Sequence, residues 1–149
     1  MKIIVDSNIV FSAILNTKSI IGDLLLNSEK LFQFWTCYYL INEIDRHWVK
    51  LKRISKLDDG ALLEAQLLIY KNITFIDEGQ IPKFFRIRAF NLLKSIDIND
   101  IAFIALNEFQ GSLLWTGDKQ LTNGLRNIGY KGVITTEEMI ILRSHLESE

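Results

Sequence analysis

Cysteine is all but missing from this 149-residue sequence: Cys37 stands alone, which excludes an internal disulfide framework and a cysteine zinc site. Beside Tyr38, Tyr39 and Leu40 it reads as a buried thiol. Histidine is nearly as scarce. His47 and His145 are too few and too far apart for a histidine metal site, and His145, in the polar Arg143 to Glu149 tail, reads as solvated. Proline occurs once, and no Pro/Gly/Ser linker, internal repeat or low-complexity tract divides the chain. No Ser or Cys sits in a Gly-rich nucleophile turn, so a covalent triad has no support. Charge of one sign is lacking too: 17 Lys+Arg against 18 Asp+Glu leave a net charge of −1, which argues against coating nucleic acid or membranes by bulk electrostatics. An anionic partner must then be met by a local patch. Long apolar runs are absent, since Ile101 to Leu106 is far below a membrane span and only Ile3, Ile4 and Val5 precede Asp6, too few for a signal-peptide core. The expectation is a soluble, cytoplasmic protein with one domain over residues 1–149, able to bury ~68–70% of its unfolded surface in a single core.

What is present is a regular alternation of short apolar runs and helix-periodic segments. Strands are expected at Lys2 to Val5, Leu31 to Thr36, Ile73 to Ile76 and Ser112 to Thr116, with a last edge strand at Val133 to Thr135. Ile9 to Leu15 and Ile20 to Leu26 read as a helical pair. Leu40, Ile44, Trp48 and Leu51 share one helix face, and Asp58 or Asp59 can cap a helix running to Tyr70. Further helices are expected after Pro82, over Ile98 to Phe109 and over Lys119 to Asn127. Strands alternating with helices imply an α/β fold, a mainly parallel sheet covered on both faces, with the loops after the strands opening on one edge.

Asp6 and Asp118 follow two of those strands, Glu43 lies in the first turn of the second helical segment, and Asp100 opens the Ile101-Ala102-Phe103-Ile104-Ala105 helix. Taken singly, the aspartates are ordinary helix caps and Glu43 an ordinary solvated residue. Taken together at one sheet edge, four carboxylates repel one another and raise each other's pKa unless a cation keeps them ionised. Oxygen-only ligation suits a hard ion, Mg²⁺ or Mn²⁺, which can activate water against a phosphodiester. Asp97 competes for the third position. Asp97-Ile98-Asn99-Asp100 has capping spacing, so Asp97 is expected to accept the N–H of Asp100 and to be structural, leaving Asp100 as the functional acid.

Val5-Asp6-Ser7-Asn8-Ile9-Val10, Ile41-Asn42-Glu43-Ile44, Asp100-Ile101-Ala102-Phe103-Ile104-Ala105 and Trp115-Thr116-Gly117-Asp118-Lys119 together resemble the successive motifs of the PIN-domain ribonucleases, the group that includes the VapC toxins of toxin–antitoxin pairs. The resemblance spans essentially the whole chain in the right order. It implies a three-layer α/β/α sandwich, Mg²⁺- or Mn²⁺-dependent cleavage of single-stranded or loop RNA, a homodimer, and an antitoxin partner if the chain is a toxin. It assigns the metal-site acids to Asp6, Glu43, Asp100 and Asp118, the orientation of the first carboxylate to Asn8, and support of the last acid to Thr116. The reading from a different class is a catalytically inactive PIN-like module that binds RNA or another protein. A haloacid-dehalogenase-type phosphatase needs an acid where Asn8 stands, and a receiver domain needs a lysine at a strand end, whereas Lys119 directly follows Asp118.

No acid occurs between Arg46 and Lys56, and on one helix Glu43, Arg46, Lys50 and Arg53 would form a stripe running from the proposed metal ligand. Arg46, Lys50 and Arg53 are therefore candidates for RNA phosphates, against the alternative of a solvated helix face. Lys83, Arg86, Phe90 and Lys94 form a second stripe whose aromatic could stack on an unpaired base, although an ordinary helix surface or a dimer contact explains it better.

Overall fold

The run Lys-Ile-Ile-Val forms strand β1 (Lys2–Val5), whose three β-branched residues are fully buried. A strand with no polar face belongs in the middle of a sheet covered on both sides. The computed structural model, which describes residues Met1–Glu149, places β1 at that centre. Its partners are β2 (Gln33–Cys37), β3 (Ile73–Ile76), β4 (Leu113–Trp115) and β5 (Val133–Ile134), in the order β3-β2-β1-β4-β5. Every pairing is parallel. Nine α-helices complete a three-layer α/β/α sandwich: α1 (Ser7–Leu15), α2 (Ile20–Asn27), α3 (Tyr39–Arg46), α4 (Trp48–Ser55), α5 (Asp59–Tyr70), α6 (Lys83–Leu93), α7 (Ile101–Gln110), α8 (Lys119–Asn127) and α9 (Thr136–Glu147). No single helix is long and apolar enough to cross a membrane.

The strand order locates the site. From β1 the chain steps outward through β2 to β3, then returns to place β4 on the other side of β1. The connections leaving β1 and β4 therefore part in opposite directions, and a crevice opens at their C-terminal ends. The register sets Val5 opposite Trp115, so the residues that follow, Asp6 and Thr116, emerge side by side into that crevice. Beneath them lies one continuous core of 32 buried apolar residues, Cys37 among them, so burial pushes its thiol far above the usual range.

Several boundaries differ from the sequence expectation for local reasons. The second strand starts at Gln33 because Leu31 and Phe32 turn back with their N–H groups on the Ser28 carbonyl. The expected continuous helix through Leu40 and Leu51 breaks at His47, whose N–H is shared between the carbonyls of Glu43 and Ile44 at 3.2 and 3.1 Å. Leu40, Ile44 and Leu51 stay buried across the break, so the apolar spacing survives while the helix does not. Ile98–Asp100 is a 3-10 turn, and α7 starts only at Ile101. The C-terminal residues form α9 rather than a polar tail. It is opened by a capping box in which Glu138 N–H donates to Thr135 Oγ1 at 3.2 Å and Thr135 N–H donates to Glu138 Oε1 at 3.0 Å. His145 is exposed on that helix.

The turn between α1 and α2 is closed by Ser19, whose hydroxyl accepts the Gly22 N–H at 3.1 Å. Gly22 is buried there directly against the Thr17 carbonyl, where a Cβ would overlap backbone atoms that cannot move independently. Gly22→Ala is expected to destabilise the protein by ~1–3 kcal/mol, read as a lower urea midpoint with an unchanged slope.

Candidate metal centre

Asp6 is the first residue beyond β1 and caps α1 with its own carboxylate: Oδ1 accepts the Ser7 N–H at 2.7 Å. Its other oxygen accepts the Thr116 hydroxyl at 2.7 Å and the Asn8 side-chain amide at 3.3 Å. With 2% of its surface exposed, Asp6 is the most enclosed acid of the crevice. Asn8, besides donating to Asp6, accepts the Gly117 N–H with its Oδ1 at 3.0 Å and so ties the loop after β4 to the start of α1. Thr116 differs from the expectation in detail. Its proton goes to Asp6, and it supports Asp118 by accepting that residue's backbone N–H at 3.1 Å.

The remaining acids arrive from other elements. Ser7 Oγ donates to Glu43 Oε1 at 2.9 Å, linking α3 to the start of α1. Asp118 caps α8 through Oδ1, which accepts the Leu121 N–H at 3.0 Å. Asp100 stands at the N-cap position of α7 without making a side-chain cap bond, so its carboxylate is left to the crevice. Asp97 corrects the sequence expectation. It caps by accepting the N–H of Asn99 at 3.0 Å, not that of Asp100, and its carboxylate joins the cluster. One oxygen from each of Asp97, Asp100 and Asp118 lies within 4.8 Å of the others. The crevice thus holds Asp6 and Glu43 bridged by Ser7, and Asp97, Asp100 and Asp118 grouped together, with the Thr116 hydroxyl touching both sets. Ser7 and Asp97 are the members the sequence reading did not assign.

Three helix N-termini, those of α1, α7 and α8, meet here with an aspartate at each cap position, and their partial positive charges favour the carboxylates. That is not enough to offset burial and mutual repulsion. Burial raises the Asp6 pKa to about 6 in spite of the hydrogen bonds from Thr116 and Ser7, and Glu43 and Asp118 push the same way. Asp100 rises further, to about 8, through burial and then the charges of Asp6, Asp97, Asp118 and Glu43. An oxygen-only set of acids in which Asp6 and Asp100 resist ionisation fits a hard divalent cation such as Mg²⁺ or Mn²⁺.

The basic stripe is less orderly than its spacing promised. The break at His47 puts Arg46 and Lys50 on different helices, with the Arg46 guanidinium 6.0 Å from the Tyr39 ring and the Lys50 ammonium 5.7 Å from the Phe11 ring. Arg53 is exposed further along α4. Only Lys50 of the three lines the groove that adjoins Glu43.

A five-stranded parallel sheet with its acids gathered at the switch point beside β1 defines an α/β/α domain built round a carboxylate centre. The PIN domain family matches residues 4–143, and the chain belongs to that family, whose members are generally nucleases. Its fold is similar to a chain in the crystal structure of VapBC2 from Rickettsia felis bound to a DNA fragment from their promoter, with a TM-score of 0.67, 16% identity, and coverage of 91% of this chain and 98% of that one. No curated protein matches the sequence.

The raised acids make a prediction about stability. Folded Asp6 and Asp100 hold their protons up to about pH 6 and about pH 8, against 3.8 for an ordinary aspartate, so across that window the folded state binds more protons than the unfolded chain. Stability of the protein in EDTA therefore falls as the pH rises from about 4 to about 8. Asp100→Asn removes much of that fall. At pH 8 in EDTA the variant should melt above the wild type, by roughly 3–5 °C for each kcal/mol of relieved repulsion, and at pH 4 the two should nearly coincide.

Proposed function

We propose that this chain is a divalent-metal-dependent endoribonuclease acting on single-stranded or looped RNA in the cytoplasm, and that it is the toxin of a toxin–antitoxin pair. The observation that carries the nuclease reading is the crowding of Asp6, Glu43, Asp97, Asp100 and Asp118 around one crevice at the switch point of the sheet. Family membership supports nuclease chemistry, and the likeness to a VapBC2 structure supports a protein partner that acts as inhibitor. Self-association as a homodimer belongs to the same reading and is checked by sedimentation.

Asp6, Glu43, Asp100 and Asp118 would hold the cation, with Asp97 close enough to share it. Mg²⁺ or Mn²⁺ held there would supply an acidified water and a positive charge for the phosphodiester. The protein's own contribution is preorganisation. The Thr116 proton and the Asn8 amide fix the orientation of the Asp6 carboxylate, the Ser7 hydroxyl fixes Glu43, and the α8 cap fixes Asp118. Asp100, free of capping duty, can turn toward the cation without loosening its helix.

Cleavage of a single-stranded RNA should stop in EDTA and return with Mg²⁺ or Mn²⁺. Asp6→Asn and Asp118→Asn each remove ligand charge at nearly constant volume, so both should lower kcat/KM by on the order of 10²-fold or more with an unchanged far-ultraviolet dichroism spectrum. Full activity in chelator would overturn the metal mechanism. RNA binding without cutting under any divalent metal would make the chain an RNA-binding module of the same fold.

Thr116→Val keeps the shape of the side chain and deletes the proton that orients Asp6. Mn²⁺ affinity measured by calorimetry should drop ~10- to 100-fold, as for other outer-shell partners of a ligating carboxylate, and cleavage should fall with it.

A further inference from the structure

Beside the acid crevice, on the far side of Glu43, α1 and the α3–α4 break enclose an open groove of about 270 Å³. Ser7, Asn8 and Glu43 line it and also belong to the acid network, so the groove and the crevice are one continuous surface. Its other walls are chemically distinct. Phe11 is half-buried on the core and presents its ring to the groove, His47 meets that ring edge-on at 6.3 Å and 87°, and the Lys50 ammonium lies 5.7 Å from the ring centroid. An aromatic ring flanked by an imidazole and a flexible cation, next to a centre built for a phosphodiester, has the makings of a single-strand nucleic-acid subsite: a π-face for a base and a positive charge for its phosphate.

We infer that this groove is the subsite for one nucleotide flanking the scissile phosphate, with its unpaired base stacked on Phe11 and its phosphate met by Lys50; the inference rests on the nuclease reading given above. The volume is slightly below the ~300 Å³ at which sites for small molecules begin, which suits a single base. Lys50 is exposed on a long, mobile stem, so an entering base displaces its ammonium from the ring face toward the backbone. The break at His47 is what creates the subsite, because it separates Lys50 from Arg46 and turns the two cations to different aromatic rings. Stacking on Phe11 makes the subsite demand an unpaired base.

The test compares RNA oligonucleotides carrying a single abasic residue at each position around the cut site. With wild-type protein and Mn²⁺, an abasic residue at one flanking position should lower kcat/KM by ~5- to 150-fold, the range of base–aromatic stacking. Phe11→Leu should abolish that discrimination while preserving apolar volume, and Phe11→Tyr should retain it. Phe90→Leu, on the exposed aromatic of α6, should leave it unchanged. Lys50→Gln should reduce the salt dependence of binding by about one counterion. The same abasic comparison made by fluorescence anisotropy with Asp118→Asn needs no cleavage, so discrimination in binding by that variant sustains the subsite by itself, whereas a wild type that cuts under no divalent metal would overturn the nuclease reading alone. A protein that cuts with no abasic effect at either neighbour, or whose abasic effect survives Phe11→Leu, overturns the subsite. An effect lost in Phe90→Leu and kept in Phe11→Leu overturns it in favour of α6.

Discussion

Asp6 is a carboxylate enclosed at the end of the central strand of a parallel sheet, where a charge is least welcome, and the rest of the site is arranged round keeping it there. Its enclosure follows from β1 being covered on both faces, and its partners follow from the register that sets Val5 opposite Trp115. Because Thr116 emerges beside Asp6, one hydroxyl can donate to the first acid and accept from the backbone of the last. Asn8 closes the same loop from the other side through Gly117. These bonds fix geometry without supplying positive charge, so the centre remains short of a cation.

That shortage sets stability against function. Three aspartates stand at the cap positions of helices α1, α7 and α8, where one carboxylate each is favourable, yet burial and then the charges of the neighbouring acids raise the pKa of Asp6 and of Asp100. A fold selected only for stability would replace Asp100, which caps nothing. Its retention beside a cluster that burial already penalises is the stability cost expected of a binding centre.

Much of this was legible beforehand. Each strand is an apolar run and the acids at strand ends mark themselves by position, so β1, β3 and α8 have the boundaries their patterns predict, and the charges of Asp6, Glu43 and Asp118 all reach Asp100. The capping box at Thr135 and Glu138 is a helix-start signal that the expectation of an edge strand and a polar tail passes over, and α9 follows it. The break at His47 was not readable, since Leu40, Ile44 and Leu51 keep helical spacing across it and all three are buried in spite of it. Asp97 stood as a rival third acid and was expected to be only a cap, because capping depends on the next few residues whereas its approach to Asp118 depends on where β4 ends.

The sequence by itself determined the periodicities, the caps and the succession of acids, because these are set by interactions between residues a few positions apart. Only the tertiary structure decided which acids share one crevice, that the Thr116 proton serves Asp6, that Ser7 bridges to Glu43, and that Lys50 faces Phe11 while Arg46 faces Tyr39. Those choices follow from strand order and from a helix break, which place residues distant in the chain within hydrogen-bonding reach. Local propensity carries no record of that placement.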